Sequence, residues 1–404
     1  SYGIVGNDKM ENARFLYLSG SWNGYNTVKK NQGSWQFGQE GGTALLPDAK
    51  ENTVGNPDVT WETVAKQNYG IDLKMFDSRL SFTADIFFEK RKDILSTRNT
   101  LPTITDIQLP KINLGKVNNH GYELSLGWND RAGKVNYWVK ANMSYAKNKI
   151  IYMDEVVPNE PYMAETGRST GLNYGYLFDR FLQKDDFDAD GKLKVDANGE
   201  QILPKMSLGT PRPGDTLFKD LNGDGVIDGD DKTYFGYARH PEYVFGFLGG
   251  FSWKNFEFSM QWTAAMNASR ILEGEYRNAF GSTNSRMLLK FLADGRWTEE
   301  NPCSRFPRLT FMNKIHYLED TDLWLMNGSY LRLKTAEISY TFQNKDFLKK
   351  IGVESVRLYC NGYNLLTLFS DLNDIDIDPE GKTSGDDNTY PNVRIYNFGI
   401  NVSF

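Results

Sequence analysis

Residues 392–404 alternate between an apolar set of side chains and a small or polar set. The first set is Arg394, Tyr396, Phe398, Ile400, Val402 and Phe404, and the second is Ile395, Asn397, Gly399, Asn401 and Ser403. Because side chains along a strand point alternately to opposite faces, the pattern predicts a strand with one aromatic face and one polar face. Its recurrence along the chain is typical of strands that contact lipid on one side and a water-filled lumen on the other.

The same alternation predicts eight further strands, most of them joined in pairs. They cover 60–76, 79–95, 117–129, 134–149, 243–253, 256–264 and, less sharply bounded, 329–342 and 354–369. The last of these alternates least regularly. The sequence therefore predicts an all-β fold, a transmembrane antiparallel β-barrel.

The connections between these strands fall into two classes of length. Short ones lie at 77–78, 130–133, 254–255 and 343–353, and long ones lie near 96–116, 150–242, 270–328 and 370–390. Outer-membrane barrels have short periplasmic turns and long outer loops, so the short side is predicted to be periplasmic. Within 150–242, the segment near 172–183 is predicted to form a loop hairpin and not a wall strand.

Composition is compatible with this fold. The 404 residues are 14% aromatic, with a net charge of −6 and no run of eighteen apolar residues, so a membrane-spanning helix is excluded. No basic patch with interleaved aromatic residues is present, which argues against nucleic acid. A soluble two-sheet β protein is the alternative, but it would not need rings at both ends of so many apolar faces.

Cys303 and Cys360 are either free thiols or one disulfide.

One acidic segment matches a calcium-binding loop. In residues 220–231 the oxygen ligands fall at Asp220, Asn222, Asp224, the carbonyl of Val226, Asp228 and Asp231, with Gly225 at the sharp turn. Asp231 stands where a bidentate Glu is usual, which weakens calcium binding or admits magnesium. The alternative is an Asp/Asn/Gly-rich turn that needs no ion. Residues 186–191 repeat only the first half of the spacing, so we interpret them as a surface hairpin, with Asn198-Gly199 as a nearby tight turn.

The sequence offers little support for catalysis. His120, His240 and His316 are far apart in sequence, and neither a GxSxG motif nor a Walker loop is present. We therefore do not expect an enzyme. Aromatic residues of the outer loops, among them Trp297, Tyr317 and Trp324, are candidates for stacking on sugar rings or peptide side chains, with loop packing as the alternative.

Several segments resemble the SusC/RagA-type TonB-dependent transporters of the Gram-negative outer membrane. They occur in order along nearly the whole chain: Asn56-Pro57-Asp58-Val59-Thr60-Trp61-Glu62, Arg79-Leu80-Ser81-Phe82, Lys92-Asp93-Ile94-Leu95, Gly115-Lys116-Val117-Asn118-Asn119-His120-Gly121-Tyr122-Glu123, Phe218-Lys219-Asp220-Leu221-Asn222-Gly223-Asp224-Gly225, Ser329-Tyr330-Leu331-Arg332-Leu333-Lys334 and Asn361-Gly362-Tyr363-Asn364-Leu365. His120 departs from the family, which more often has a basic residue there.

The resemblance implies that residues 1–404 are the C-terminal part of a 22-strand barrel. The nine strands predicted above and the end of another at 1–8 would be roughly its last ten. The plug domain and the TonB-contacting segment would lie N-terminal to this chain. The implied partners are the N-terminal barrel half and plug, TonB, a SusD-like surface lipoprotein, outer-membrane lipid and an oligosaccharide or peptide ligand.

The implied function is active import of an oligomeric nutrient through the outer membrane. In this family the nutrient is most often a glycan and sometimes a peptide. Two other interpretations stay open from the sequence. A passive porin-like barrel would lack a plug and a TonB-binding segment upstream. A secreted calcium-dependent adhesin could be extracted from cells without detergent.

Overall fold

The computed structural model describes residues 2–7, 28–35, 46–51, 56, 58–100, 110–207, 209–280, 288–311, 320–343, 350, 352–381 and 392–404. Tyr317 and His316 lie outside these ranges. Most of the regular structure is strand, and the α-helix α1 covers Lys290–Asp294. None of the described helices has the length and apolar character needed to span a bilayer.

The strands follow in chain order. They are β1 (Tyr2–Asn7), β2 (Val28–Trp35), β3 (Leu46–Glu51), β4 (Glu62–Met75), β5 (Leu80–Ser96), β6 (Ile112–Ala132), β7 (Val135–Tyr152), β8 (Asn173–Tyr176), β9 (Phe178–Phe181), β10 (Lys205–Met206), β11 (Thr216–Phe218), β12 (Val226–Ile227), β13 (Lys232–Phe235), β14 (Tyr243–Trp253), β15 (Phe256–Met266), β16 (Ser269–Ile271), β17 (Leu325–Asn327), β18 (Tyr330–Gln343), β19 (Ser355–Leu368) and β20 (Ile395–Ser403).

Ten of these strands form one antiparallel sheet, the wall. Its order is β1-β4-β5-β6-β7-β14-β15-β18-β19-β20, so each wall strand pairs with the next wall strand along the chain. This confirms the nine strands predicted from alternation and the further strand near 1–8. The short connections lie at one end of the wall and the long ones at the other, as predicted.

Cross-strand pairing sorts the wall residues into an apolar face and a polar face. One row of the apolar face is Leu73, Phe82, Leu126, Ala141, Phe247, Trp262, Leu333 and Leu366. The adjacent row of the polar face is Asp72, Thr83, Ser125, Asn142, Gly246, Thr263, Arg332 and Thr367. Many side chains of the apolar face are exposed, including Tyr69 at 63% and Phe398 at 82%. No second sheet covers this face within the described residues, so the sandwich alternative is wrong.

Aromatic rings concentrate at two levels of the apolar face. Toward the long loops, Tyr122 and Tyr145 lie 5.3 Å apart and Tyr145 and Tyr243 lie 4.6 Å apart between ring centroids. Toward the short turns, Trp253 pairs with Phe256. Tyr243 and Trp253 are ten positions apart in β14, which is ~33 Å along a strand. A strand tilt of ~40° reduces this to ~25 Å, the height of the apolar band of an outer-membrane barrel.

Several predicted boundaries differ from the structure. Strand β6 begins at Ile112, so the loop predicted near 96–116 is shorter than expected, and β7 extends to Tyr152 into the predicted loop 150–242.

At the bulge between β18 and β19, Leu333 pairs with Leu366 but Thr335 pairs with Tyr363. Asn364 has a left-handed φ of 52° there. The bulge shifts the alternation of β19 by one residue, which explains its irregular pattern.

The long loops carry hydrophobic cores of their own. One core joins the loop between β15 and β18 to the loop between β19 and β20, and includes Trp324, Phe306, Leu292 and Leu372. The other lies within the loop between β7 and β14 and includes Phe218, Leu182 and Ile227. The outer end of the wall therefore carries folded, packed loops.

The segment near 172–183 lies outside the wall, as predicted, but it is not a hairpin. Strand β8 pairs with β13 and strand β9 pairs with β11. Residue 177 alone separates β8 from β9, so the two strands have no turn with which to pair with each other. By contrast, residues 186–201 do form the predicted tight turns, with antiparallel bridges between Phe187 and Leu193 and between Val195 and Gln201.

Candidate functional site

A cavity of about 880 Å³ lies at the long-loop end of the wall, mainly against the polar face of β4–β7. Segments 167–172 and 236–242 border it, and its wall side chains include Glu62, Glu89, Arg91, Asn119 and Asn148. These residues lie on the polar face because alternation places them opposite the rings. A cavity of this size falls within the range of ligand pockets.

Ion pairs hold the charged wall residues in place. Arg91 Nη1 lies 2.8 Å from Glu62 Oε1, and Lys66 Nζ lies 2.7 Å from Glu89 Oε1. Asn119 also donates to Glu89, at 3.3 Å. The carboxyl groups are partly buried, so their partners satisfy charges that would otherwise be costly to desolvate. The wall of the cavity is thus polar and held in fixed positions.

The loop that borders the cavity is fastened to the end of β7. The Ser169 hydroxyl donates to the Asn148 carbonyl at 2.8 Å, and the Thr170 backbone N–H donates to Asn148 Oδ1 at 2.7 Å. Ile150 N–H donates to the Arg168 carbonyl at 2.8 Å. Segment 167–170 therefore acts as an added edge to the polar face.

A second polar cluster fixes a loop against the polar face farther along the sheet. Arg332 in β18 is 2% exposed and donates to Asp378 Oδ2 at 2.7 Å, to Glu380 Oε2 at 2.9 Å and to the Thr367 hydroxyl at 3.0 Å. Lys334 donates to the same Glu380 oxygen at 2.8 Å. The loop between β19 and β20 thus folds back onto the polar face, and we name segment 371–380 the strap.

The strap also belongs to the core of the outer loops. Leu372, Ile375 and Ile377 pack in the same cluster as Trp324, three to eight positions before Glu380. The ion pairs of Arg332 therefore connect that packed core to the wall.

Burial alone would raise the pKa of Glu380, but the hydrogen bond from Lys334 and the charge of Arg332 outweigh it and hold the pKa below its usual range.

The predicted calcium loop forms a compact turn through its own backbone. Asp220 accepts from the N–H groups of Gly223 at 2.6 Å and Gly225 at 2.8 Å. Asp231 is fully buried and accepts from the N–H groups of Leu221 at 2.7 Å and Asp228 at 2.9 Å. Gly223 and Gly225 both have positive φ, which glycine adopts without strain.

The remaining ligand candidates of this loop have similar partners. Asn222 accepts from the N–H of Asp224, Asp224 from that of Val226 and Asp228 from that of Asp230. Within the described parts of the chain, no group of three or more His, Cys, Asp or Glu residues has a metal-holding arrangement. The carboxylates therefore hold the turn through backbone hydrogen bonds, and calcium or magnesium binding stays a prediction.

Two of the three proposed stacking residues are packing residues in this structure. Trp324 is fully buried and stacks on Phe306, with ring centroids 5.6 Å apart. Trp297 is 8% exposed, and its indole N–H donates to Gln183 Oε1 at 3.3 Å. Neither ring offers a face to a ligand, because tertiary packing of the loops covers both. Tyr317 lies outside the described residues.

The histidines and cysteines carry no evident chemistry. His120 and His240 both border the cavity, but the described residues include no hydrogen bond from either ring to a carboxylate. Cys303 and Cys360 are free thiols, which excludes the disulfide alternative. Arg332, Asp378 and Glu380 were not selected from the sequence, although an arginine at a polar-face position between Leu331 and Leu333 was a usable signal.

Comparison with known proteins agrees with this architecture. A family model described as TonB dependent receptor-like, beta-barrel, matches residues 18–365. The chain belongs to the TonB-dependent receptor β-barrel family. The family is found in the outer membrane, and its members are transport proteins and not enzymes.

Relatives and solved structures match this family member across most of its length. TonB-dependent receptor P3 of Formosa agariphila is 27% identical over 89% of this chain and 36% of the relative. TonB-dependent receptor SusC of Bacteroides thetaiotaomicron is 23% identical over 86% of this chain and 32% of the relative. The structure of the RagAB peptide transporter superposes with a TM-score of 0.66 at 22% identity, covering 100% of this chain and 40% of that chain. The chain thus spans little more than a third of the length of the proteins it matches.

Proposed function

We propose that this chain forms roughly ten strands of a 22-strand, SusC/RagA-type transporter that imports an oligomeric nutrient through the outer membrane. The observation that carries the proposal is the ten-stranded wall, with a ring-bearing apolar face and a polar face that borders the cavity of about 880 Å³. An apolar face toward lipid and a polar face toward a lumen are the properties of a transmembrane barrel wall.

Energy coupling by TonB and capping by a lipoprotein are part of the proposal, and the resemblance to SusC/RagA-type transporters supports both. TonB would act through a plug domain elsewhere in the protein, and a SusD-like lipoprotein would close the lumen from outside. The packed loop cores at the long-connection end form a folded platform on which such a lipoprotein could rest. The other barrel strands would pair with β1 and β20, the two edges of the wall.

A glycan is the first candidate for the cargo and a peptide is the second. The resemblance to SusC/RagA-type transporters is the reason for putting a glycan first, and the similarity to the RagAB peptide transporter supports the peptide. The ion pairs on the cavity wall, Arg91–Glu62 and Lys66–Glu89, favour a cargo with polar or charged groups. They suit a charged peptide as well as a hydroxylated sugar.

Uptake of labelled oligosaccharides and oligopeptides tests the proposal. Cells that express the full-length receptor should accumulate one class of cargo, and deletion of TonB should lower that accumulation at least tenfold. Unchanged uptake without TonB would instead indicate the passive porin alternative. Equal uptake by cells with and without the receptor would contradict transport altogether.

We also propose that residues 220–231 bind calcium, with magnesium as the weaker alternative. The donor set supports this: four carboxylates and one amide at the spacing of a calcium loop, together with the Val226 carbonyl. Replacing Asp224 by alanine should remove calcium measured by titration calorimetry and increase proteolysis within 215–235, while the barrel still assembles. Asp188→Ala, in the half-repeat turn, is the matched control and should change neither. Unchanged calcium binding in Asp224→Ala would remove the calcium proposal.

A further inference from the structure

The apolar face of the wall carries a group of lysines just beyond its tyrosine level. Strands β5, β6 and β7 continue past Tyr122 and Tyr145 toward the long loops, and beyond Phe88 and His120 most of their outward positions are lysines. Alternation and pairing place five exposed lysines there, and we name them the lysine patch: Lys90, Lys92, Lys116, Lys147 and Lys149.

The register shows how closely these lysines lie. Lys90 and Lys149 both pair with Asn118, from opposite sides, so they are two strand spacings apart, or ~10 Å. Lys116 lies two positions farther along β6 and its ammonium group is 5.9 Å from the ring centroid of Tyr152. His120, two positions back along β6, is also exposed.

Acidic residues balance only part of this charge. Lys147 pairs with Glu242 at 2.9 Å, and Lys92 lies 3.9 Å from Asp93. For Lys90, Lys116 and Lys149, no carboxylate partner is recorded among the residues that the structure describes. Three surplus positive charges therefore lie together on a chain whose net charge is −6, and an anionic partner would complement them.

The surroundings of the lysine patch indicate which kind of anion binds there. The patch lies directly above the tyrosine level, where the headgroups of the outer leaflet meet the barrel. Below it, on the same strands, the apolar face contains a groove of about 390 Å³ whose walls include Phe82, Leu124, Met143 and Phe245. Met143 is four residues from Lys147 along β7, or ~13 Å, a distance that an acyl chain can span.

We propose that this surface binds a lipid with phosphate groups from the outer leaflet of the membrane. Its phosphates contact Lys90, Lys116 and Lys149, and an acyl chain lies in the groove between Phe82 and Phe245. A soluble acidic protein would match the charges but would not use an apolar groove at membrane depth. Clusters of lysine beside a membrane-embedded surface recognise anionic lipid headgroups in this way.

Lipid retention by the full-length receptor tests this proposal. The receptor is purified in neutral detergent, mixed with lipid A that carries two phosphates, with the same lipid after phosphate removal or with phosphatidylcholine, and passed through a gel-filtration column. Lipid bound per receptor is then counted by mass spectrometry. The parent receptor should retain the phosphorylated lipid and neither of the other two.

The triple variant Lys90→Gln, Lys116→Gln and Lys149→Gln should bind the phosphorylated lipid much more weakly. Each lysine near an anionic lipid contributes roughly fivefold in affinity, so the loss is on the order of 100-fold. The matched control replaces Lys134, Lys192 and Lys205 by glutamine, which removes the same charge elsewhere and should leave retention unchanged. A heat-dependent gel shift verifies that both variants form barrels.

Two results would overturn the proposal: equal retention by the triple variant and the parent, or equal retention of the phosphorylated and dephosphorylated lipids. Loss of a co-purifying protein with unchanged lipid retention would assign the patch to a protein partner instead. Lys147 and Lys149 also border the cavity of about 880 Å³, so lipid retention is scored on the purified receptor and cargo import by the triple variant is measured separately in cells.

Discussion

Replacing Arg332 by methionine is expected to detach the strap from the wall and to destabilise the outer loops. Arg332 is 2% exposed and pairs with two carboxylates, so the variant leaves Asp378 without its counter-charge and Glu380 with Lys334 alone. Breaking a buried ion pair costs about 3–5 kcal/mol. We expect about 3 kcal/mol, at the low end of that range, since the two carboxyl side chains keep 17% and 25% of their exposure.

The measurement is protease cleavage within 369–394 on intact cells, together with the thermal midpoint of the purified receptor. Arg79→Met is the matched control, because Arg79 pairs with Asp130 at 3.4 Å on an exposed turn. An exposed pair contributes at most about 1 kcal/mol, so the control should behave like the parent. Equal cleavage of Arg332→Met and the parent would show that the strap does not depend on Arg332.

The same ion pairs predict how the strap depends on pH. The pKa of Glu380 is held below its usual value, so the carboxylate contributes stability at pH values above about 4.3, the ordinary glutamate pKa. That stability is lost as the pH falls through the lowered pKa. Protease cleavage of the strap should therefore rise in acid in the parent, and the rise should be smaller in Arg332→Met.

The wall could be predicted from sequence because alternation is a local signal. The residues of each strand show which side chains point to each face. In β14, for example, Phe245 and Phe247 of the apolar face alternate with Gly246 and Leu248 of the polar face. The prediction was least sharp where a bulge interrupts the period, as at Asn364 in β19. The start of β6 at Ile112 was missed because the face that carries Tyr122 is polar at Lys116, Asn118 and His120, which interrupts the alternation between Ile112 and the rest of the strand.

The candidate site could be predicted only in part, because its contacts join distant segments. Arg332 meets Asp378, 46 residues away, and no local pattern links them. Trp297 and Trp324 were selected as outer-loop aromatic residues that could stack on a cargo, with loop packing as the alternative, and packing of the loops buries both. The acidic residues of 220–231 were selected for an ion, which stays a prediction, and their backbone partners such as Gly225 and Leu221 were not foreseen from the sequence.

A positive charge introduced into β15 should destabilise the barrel when it lies on the apolar face and should be tolerated when it lies on the polar face. Met260 lies on the apolar face between Gly249 and Ala336, near the middle of the ring-bounded band. Its neighbour Gln261 lies on the polar face between Leu248 and Thr335. An arginine at the mid-plane of the lipid face costs about 2–4 kcal/mol, whereas lumen positions tolerate it.

Assembly of Met260→Arg and Gln261→Arg in the outer membrane is the most direct test of the assignment of the two faces. The heat-dependent gel shift gives the assembled fraction, and the thermal midpoint in phospholipid vesicles gives the stability. We predict that Met260→Arg assembles poorly and unfolds at a lower temperature, while Gln261→Arg matches the parent. Normal assembly of Met260→Arg, or a larger defect in Gln261→Arg, would contradict a wall whose aromatic face contacts lipid.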